Sequence, residues 1–274
     1  MKKLSAEFPI WFCDIWGVVH NGYTPFVATV ATLAAHRKAS GIVILVTNSP
    51  RTSAGVAAQI TEIGVDPNSY DAIVTSGDVT RDLMVARGRG KLFHLGPDRD
   101  HSIFSGLAVE RVSLAEAKAV LCTGLFDEIS ETPDDYRDML AEMKQRDLLM
   151  ICANPDKIVR KGDKIYFCAG ALADAYTEIG GPVALAGKPF APIYDLAVAT
   201  AEKIRVRAIS KTEILGIGDG PDTDIKGAAD YGLSVVLVAN GITDASLGLA
   251  HAEAQVRQRV PYANIITTVT HLAW

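Results

Sequence analysis

Short, nearly continuous apolar runs recur along the chain at 10–13, 42–46, 72–74, 91–95, 119–122, 148–152, 213–217 and 234–238, each ending in small or polar residues. A parallel strand covered by helices on both faces needs that unbroken hydrophobicity, whereas a half-solvated strand alternates. Between the runs, apolar residues recur at helical spacing over 27–40, 53–63, 79–87, 133–146, 171–179, 191–203 and 226–231. Gly41, Gly64 and Gly232 follow three of these segments, where a helix C-cap is expected. Strand and helix alternating in this way predict an α/β protein built on a doubly wound parallel sheet. No internal repeat and no linker rich in Gly, Ser or Pro interrupts the pattern.

Composition narrows the class. The 274 residues suit one large domain or two modest ones, and 49% hydrophobic residues exclude a disordered chain. A net charge of −5 argues against nucleic acid or an anionic membrane as partner. The apolar runs fall far short of the ~18 residues that span a bilayer. The basic start of the chain meets Pro9 and Asp14 instead of a signal-peptide apolar stretch. Cysteines 13, 122, 152 and 168 form no CxxC pair and have no histidine at finger spacing. They read as core thiols of a cytoplasmic protein, not as a disulfide framework.

Doubly wound sheets carry chemistry in loops at the carboxyl ends of strands. Those loops hold Asp14, then Thr47-Asn48, then Gly218-Asp219-Gly220-Pro221-Asp222-Thr223-Asp224. A strand-end carboxylate followed by a glycine-containing turn can be aimed rigidly as a nucleophile or metal ligand. The hydroxyl of Thr47 and backbone N–H groups at a helix start suit a phosphate. Lys188, before Pro189, can neutralise a phosphate and a carboxylate together. Three carboxylates in six residues repel unless a cation intervenes, and hard oxygen ligands favour Mg²⁺. Singly, each has a plain structural alternative: a turn-capping Asp, an N-cap run, a solvated loop Lys, and an acidic turn capping the helix near Ile225.

The order of the four elements resembles the haloacid dehalogenase (HAD) superfamily. Thr75-Ser76-Gly77, Ala153-Asn154-Pro155-Asp156, Gly170-Ala171-Leu172-Ala173, Gly180-Gly181 and Gly187-Lys188-Pro189 are similar to its NagD-like class IIA members. The resemblance implies a hydrolase core at 1–78 and 183–274, with an inserted α/β cap domain of the C2 type at 79–182. It also implies roles. Asp14 attacks phosphorus and forms an aspartyl-phosphate, Thr47 and Asn48 bond the phosphoryl oxygens, and Lys188 neutralises Asp14 and phosphate. Mg²⁺ is held by Asp14, Asp219 and the backbone carbonyl of Trp16, while Asp224 orients its waters. Asn154 and Asp156 become candidate substrate contacts, although an Asn-Pro-Asp turn explains them equally. Arg51 is either a partner for a substrate anion or a solvated helix-entry residue. The implied partner is a small phosphorylated metabolite, and two copies of such proteins pair through their caps.

Trp16 departs from the family pattern, which has an Asp two residues after the nucleophile as general acid and base. An indole has no titratable group near neutral pH. His20 substitutes for it only if its ring turns into the cleft; otherwise it is a loop-surface residue. Three activities stay open: a Mg²⁺-dependent phosphatase, slow or limited to good leaving groups; a non-catalytic phospho-ligand binder; and a dehalogenase-type hydrolase. The acidic pair and Lys188 favour the first, and Trp16 keeps the second in play.

Overall fold

A computed structural model describes residues 1–88, 90–161, 164–239 and 246–274. In chain order the elements begin with α1 (Lys2–Glu7), β1 (Ile10–Cys13), α2 (Val27–Lys38), β2 (Ile42–Thr47), α3 (Ser53–Ile63), β3 (Ala72–Thr75) and α4 (Ser76–Arg87). Next come β4 (Lys91–Leu95), β5 (Glu110–Arg111), β6 (Ala119–Cys122), α5 (Arg137–Gln145), β7 (Leu149–Cys152), β8 (Ile158–Lys161), β9 (Lys164–Phe167), α6 (Ala169–Glu178) and β10 (Val183–Leu185). The chain continues with α7 (Ala191–Arg205), β11 (Ile214–Gly218), α8 (Lys226–Tyr231), β12 (Ser234–Val238), α9 (Leu249–Arg259) and β13 (Asn264–Val269).

Two compact units emerge, one of residues 1–47, 57–74 and 188–274, the other of residues 48–56 and 75–187. The first unit is built on a six-stranded sheet of order β13-β12-β11-β1-β2-β3. Its strands from β13 to β2 pair in parallel. The second carries a five-stranded parallel sheet, β10-β7-β6-β4-β5, and the antiparallel hairpin β8-β9. This is the α/β architecture that the apolar runs predict. All eight runs are strands, and the central ones are buried along their whole length.

The elements absent from the sequence reading are those without a clean pattern. α9 buries only Ala252 and Val256, and β8-β9 leaves Ile158, Ile165 and Phe167 exposed. Gly64 and Gly232 take the left-handed conformation of a C-cap, at φ +95° and +85°. Gly41 does not. Ser40 makes the left-handed turn after α2, at φ +66°, and Gly41 is needed for space, because a Cβ there would lie 2.3 Å from the His36 ring.

His36 stacks on Trp11 with ring centroids 3.8 Å apart, and its Nδ1 meets Ser5 Oγ at 2.7 Å. Burial lowers the pKa of His36 and of His20, also in the first unit, from 6.5 to about 4. The unfolded chain therefore takes up protons that the folded unit refuses as pH falls from 6.5 towards 4. Stability is fully present above 6.5 and is lost across that window, by roughly 3 kcal/mol for each histidine. Thermal midpoints measured between pH 7 and pH 4 are expected to fall steeply below 6.5; a flat profile would contradict this account.

All four cysteines are buried and none forms a disulfide. Among the described residues, no helix is long and apolar enough to cross a membrane.

Candidate active site

In the first unit, β1 pairs with β11 on one side and β2 on the other, and the connections from β1 and β11 leave in opposite directions along the sheet. Such a divergence opens a crevice at the carboxyl ends of the strands. Asp14 follows β1 directly, and its N–H continues the ladder to the Ile217 carbonyl at 2.8 Å. Thr47 is the last residue of β2, and Asp219 follows β11.

Lys188 joins them. Its Nζ donates to Asp14 Oδ1 at 2.5 Å, to Asp224 Oδ1 at 2.6 Å and to the Val46 carbonyl, beside Thr47, at 2.9 Å. Asp224 accepts on its other oxygen from the N–H groups of Asp219 and Gly220, at 3.3 and 3.0 Å. It thus ties the acidic loop to the lysine. Gly218 permits this fold-back, since a Cβ there would lie 2.2 Å from the Cβ of Asp224. Asp14, Thr47, Lys188, Asp219 and Asp224 are all buried. One carboxylate oxygen from each of Asp14, Asp219 and Asp224 falls within a 4.8 Å cluster.

Burial by itself would lower the pKa of Lys188, but the Asp14 and Asp224 carboxylates outweigh it and hold the ammonium protonated. Burial raises the Asp14 carboxyl, helped by the charges of Asp224 and Asp219 and opposed by Lys188. Three carboxylates around one ammonium leave the site short of positive charge.

Thr47 ends β2, and α3 begins at Ser53, where the helical spacing over 53–63 places it. One expectation needs correction. His20 is not on a loop surface. It is 1% exposed, packs edge-on against Trp16 at 5.0 Å between centroids, and accepts the Gly22 N–H on Nδ1 at 2.9 Å.

Asn48, Asn154 and Asp156 come together in the second unit. Asn48 Nδ2 donates to Asp156 Oδ1 at 2.8 Å, and the Asp156 N–H donates to Asn154 Oδ1 at 3.0 Å. Arg51 lies against Asp100, with Nε 3.6 Å from Oδ1.

Sequence reasoning missed Tyr194. It lies on α7 and lines, with Asp14, Lys188 and Asp224, a small cavity behind the lysine. Gly227 makes room for it, since a Cβ there would meet the phenol oxygen at 2.5 Å. Its only trace in the sequence is a phenol on the apolar face of a predicted helix.

A haloacid dehalogenase-like hydrolase model matches residues 11–110, and a second HAD-hydrolase-like model matches 185–263. A hydrolase of the haloacid dehalogenase-like family from Brucella suis is 44% identical, over 100% of this chain and 98% of that one, with a TM-score of 0.90. The chain belongs to the haloacid dehalogenase-like hydrolase family. Its fold recurs in a possible sugar phosphatase from Cytophaga hutchinsonii, 21% identical over 100% of this chain and 98% of that one, with a TM-score of 0.83. It recurs again in a glycerol phosphate phosphatase from Mycobacterium tuberculosis solved in complex with magnesium, 23% identical over 88% of this chain and 71% of that one, with a TM-score of 0.69. A search of the curated proteins found no match.

Proposed function

We propose that this hydrolase is a Mg²⁺-dependent phosphohydrolase of small phosphomonoesters, working through an aspartyl-phosphate on Asp14. The observation that carries the reading is the Lys188 ammonium shared between Asp14 and Asp224 inside a buried three-carboxylate cluster. The donor set fits a hard divalent cation: every side-chain ligand is a carboxylate, and one lysine cannot balance three of them. Asp14, Asp219 and the Trp16 carbonyl would hold the ion, with Asp224 orienting its waters. A bound Mg²⁺ supplies charge neutralisation at the phosphoryl oxygens.

A carboxylate oxygen of Asp14 attacks phosphorus, the ester P–O bond breaks, and the leaving oxygen takes the electron pair. Thr47 bonds the phosphoryl oxygens with help from Asn48, and Lys188 neutralises their charge. Water then attacks phosphorus, the bond between Asp14 and phosphorus breaks with its electron pair returning to the carboxylate, and the water's protons leave on the released phosphate. Asn154 and Asp156 orient the remainder of the substrate, a small phosphorylated metabolite. The buried, unpaired thiols suit a cytoplasmic setting. The exposed Ile158, Ile165 and Phe167 support pairing of two copies through the second unit.

The leaving oxygen needs a proton, and Trp16 cannot give one. The edge packing of His20 on Trp16 and its low pKa make the imidazole a poor replacement acid. General acid–base catalysis is worth about 10²–10⁴-fold, so alkyl phosphates should be slow while aryl and acyl phosphates, which leave unprotonated, turn over. Phosphate release is to be measured from p-nitrophenyl phosphate, acetyl phosphate, a sugar phosphate and a nucleoside monophosphate, with Mg²⁺ and with excess EDTA. The expected result is Mg²⁺-dependent turnover confined to the first two. Full activity in EDTA would remove the metal from the proposal. Silence on the whole panel, with Mg²⁺ bound, would leave a phospho-ligand binder.

Trp16→Asp restores a proton donor. It should raise alkyl-phosphate turnover by about 10²-fold or more and aryl-phosphate turnover by much less. A folded variant with equal gains on both, or none, would show that Trp16 is not simply a missing acid.

A further inference from the structure

The sheet of the second unit has a cavity at the end away from Asn154 and Asp156. Those two residues follow the carboxyl end of β7, whereas Lys118 and Asp147 lie just ahead of β6 and β7, at the amino ends. The two strands start side by side, with Ala119 opposite Leu149. Arg87, the last residue of α4, reaches the same place. With Ala86 and Leu149, these side chains line a cavity of about 310 Å³. That is far more room than a water needs, and it falls within the range that holds small metabolites.

The polar part of the lining is uncommitted. Among the described residues, the side chains of Arg87 and Lys118 make no hydrogen bond and no ion pair. Asp147 has Lys144 for company, but its Oδ1 stands 4.0 Å from that Nζ, beyond hydrogen-bond reach, and its side chain is 82% accessible. Two cations that face one space repel each other until an anion joins them. A guanidinium and an ammonium supply donors only, and a carboxylate supplies acceptors only. Ala86 and Leu149 add an apolar wall.

This set matches one chemistry. The charged oxygens of a phosphate take donors from arginine and lysine. The second ionisation of a phosphate monoester falls at about pH 6, so near neutrality part of it still carries a P–OH, and that hydroxyl needs an acceptor. Asp147 provides one. Sulfate holds no proton at such pH and would set a bare oxygen against the carboxylate. The volume also leaves space beside the phosphate for a short carbon skeleton against Ala86 and Leu149.

We propose that this cavity binds a small phosphate monoester as its protonated monoanion, held by Arg87 and Lys118 with the P–OH on Asp147. None of these residues belongs to the Asp14 centre, and the inference does not depend on any turnover there.

Calorimetric titration of the full chain with glycerol phosphate and with sulfate, at pH 6.5 in EDTA, tests it. With the metal chelated, the three buried carboxylates around Asp14 oppose an anion, so the titration reads the cavity. Glycerol phosphate is expected to bind about tenfold more tightly than sulfate. Arg87→Gln and Lys118→Gln should each weaken its binding about tenfold. Neither side chain has a partner within the fold, so melting midpoints should stay level. Asp147→Asn should remove most of the preference by strengthening sulfate, because an amide can donate to the oxygen that the carboxylate repels. Undetectable binding to the native chain overturns the proposal. So does binding that is unchanged when Arg87→Gln and Lys118→Gln are combined, or a preference for the phosphate that survives Asp147→Asn.

Discussion

Asp14→Asn is expected to lower phosphate release from p-nitrophenyl phosphate by on the order of 10⁴–10⁶-fold, the loss typical of removing a covalent nucleophile. The amide keeps the shape of the carboxylate but cannot attack phosphorus. Folding should survive, because the substitution removes one of the two carboxylates that share the Lys188 ammonium within a cluster of three. The thermal midpoint should therefore stay level or rise, which separates lost chemistry from lost structure. A colorimetric phosphate assay beside a melting curve makes both readings. Undiminished turnover in the folded variant would exclude Asp14 as the nucleophile.

Lys188→Met is expected to strike stability as hard as activity. It takes away the ammonium that Asp14 and Asp224 share and strips the Val46 carbonyl of a donor. Breaking a buried ion pair from one side costs about 3–5 kcal/mol, because the charges left behind have no partner. For a chain of this size that is a fall in midpoint of roughly 6–20 °C. Mg²⁺ should recover part of it, since an ion that binds the folded state selectively stabilises it by mass action. Melting curves with and without Mg²⁺ check both statements, and Lys188→Arg, which keeps the charge, should lose much less. A midpoint unmoved by Lys188→Met would mean that the carboxylates are neutralised by something other than the lysine.

The strand-end position of Asp14 was visible in the sequence, because an apolar run marks a buried strand and its last residue marks the edge where polar groups collect. The acidic loop was visible for the same reason. Trp16 stood out only against the pattern of the family that the motifs resemble. The surface reading of His20 failed because a polar residue among turn-forming neighbours looks solvated, whereas its burial comes from Trp16 and the backbone folding around it. Thr47 closes a strand and α3 starts at Ser53, both where the apolar run and the helical spacing put them. Gly41 looked like a conformational device and is a packing one, set by a histidine ring that no local pattern reveals. The short edge strands, the hairpin and α9 stayed hidden because they bury too little to impose a period on the sequence.

By itself, then, the sequence determined the class of fold, the strand ends at which chemistry collects and the kind of residue found there. All are local properties: a strand buried on both faces must be apolar throughout, and its polar residues must wait until it ends. Only the tertiary structure decided which of those residues meet. It set Lys188 on Asp14 across 174 positions of chain, tied Asn48 to Asp156 across 108, and brought Arg51 to a buried Asp100. Charge neutralisation acts through space and pays no regard to order along the chain, so the partner of a buried charge is known only once the backbone has closed around it.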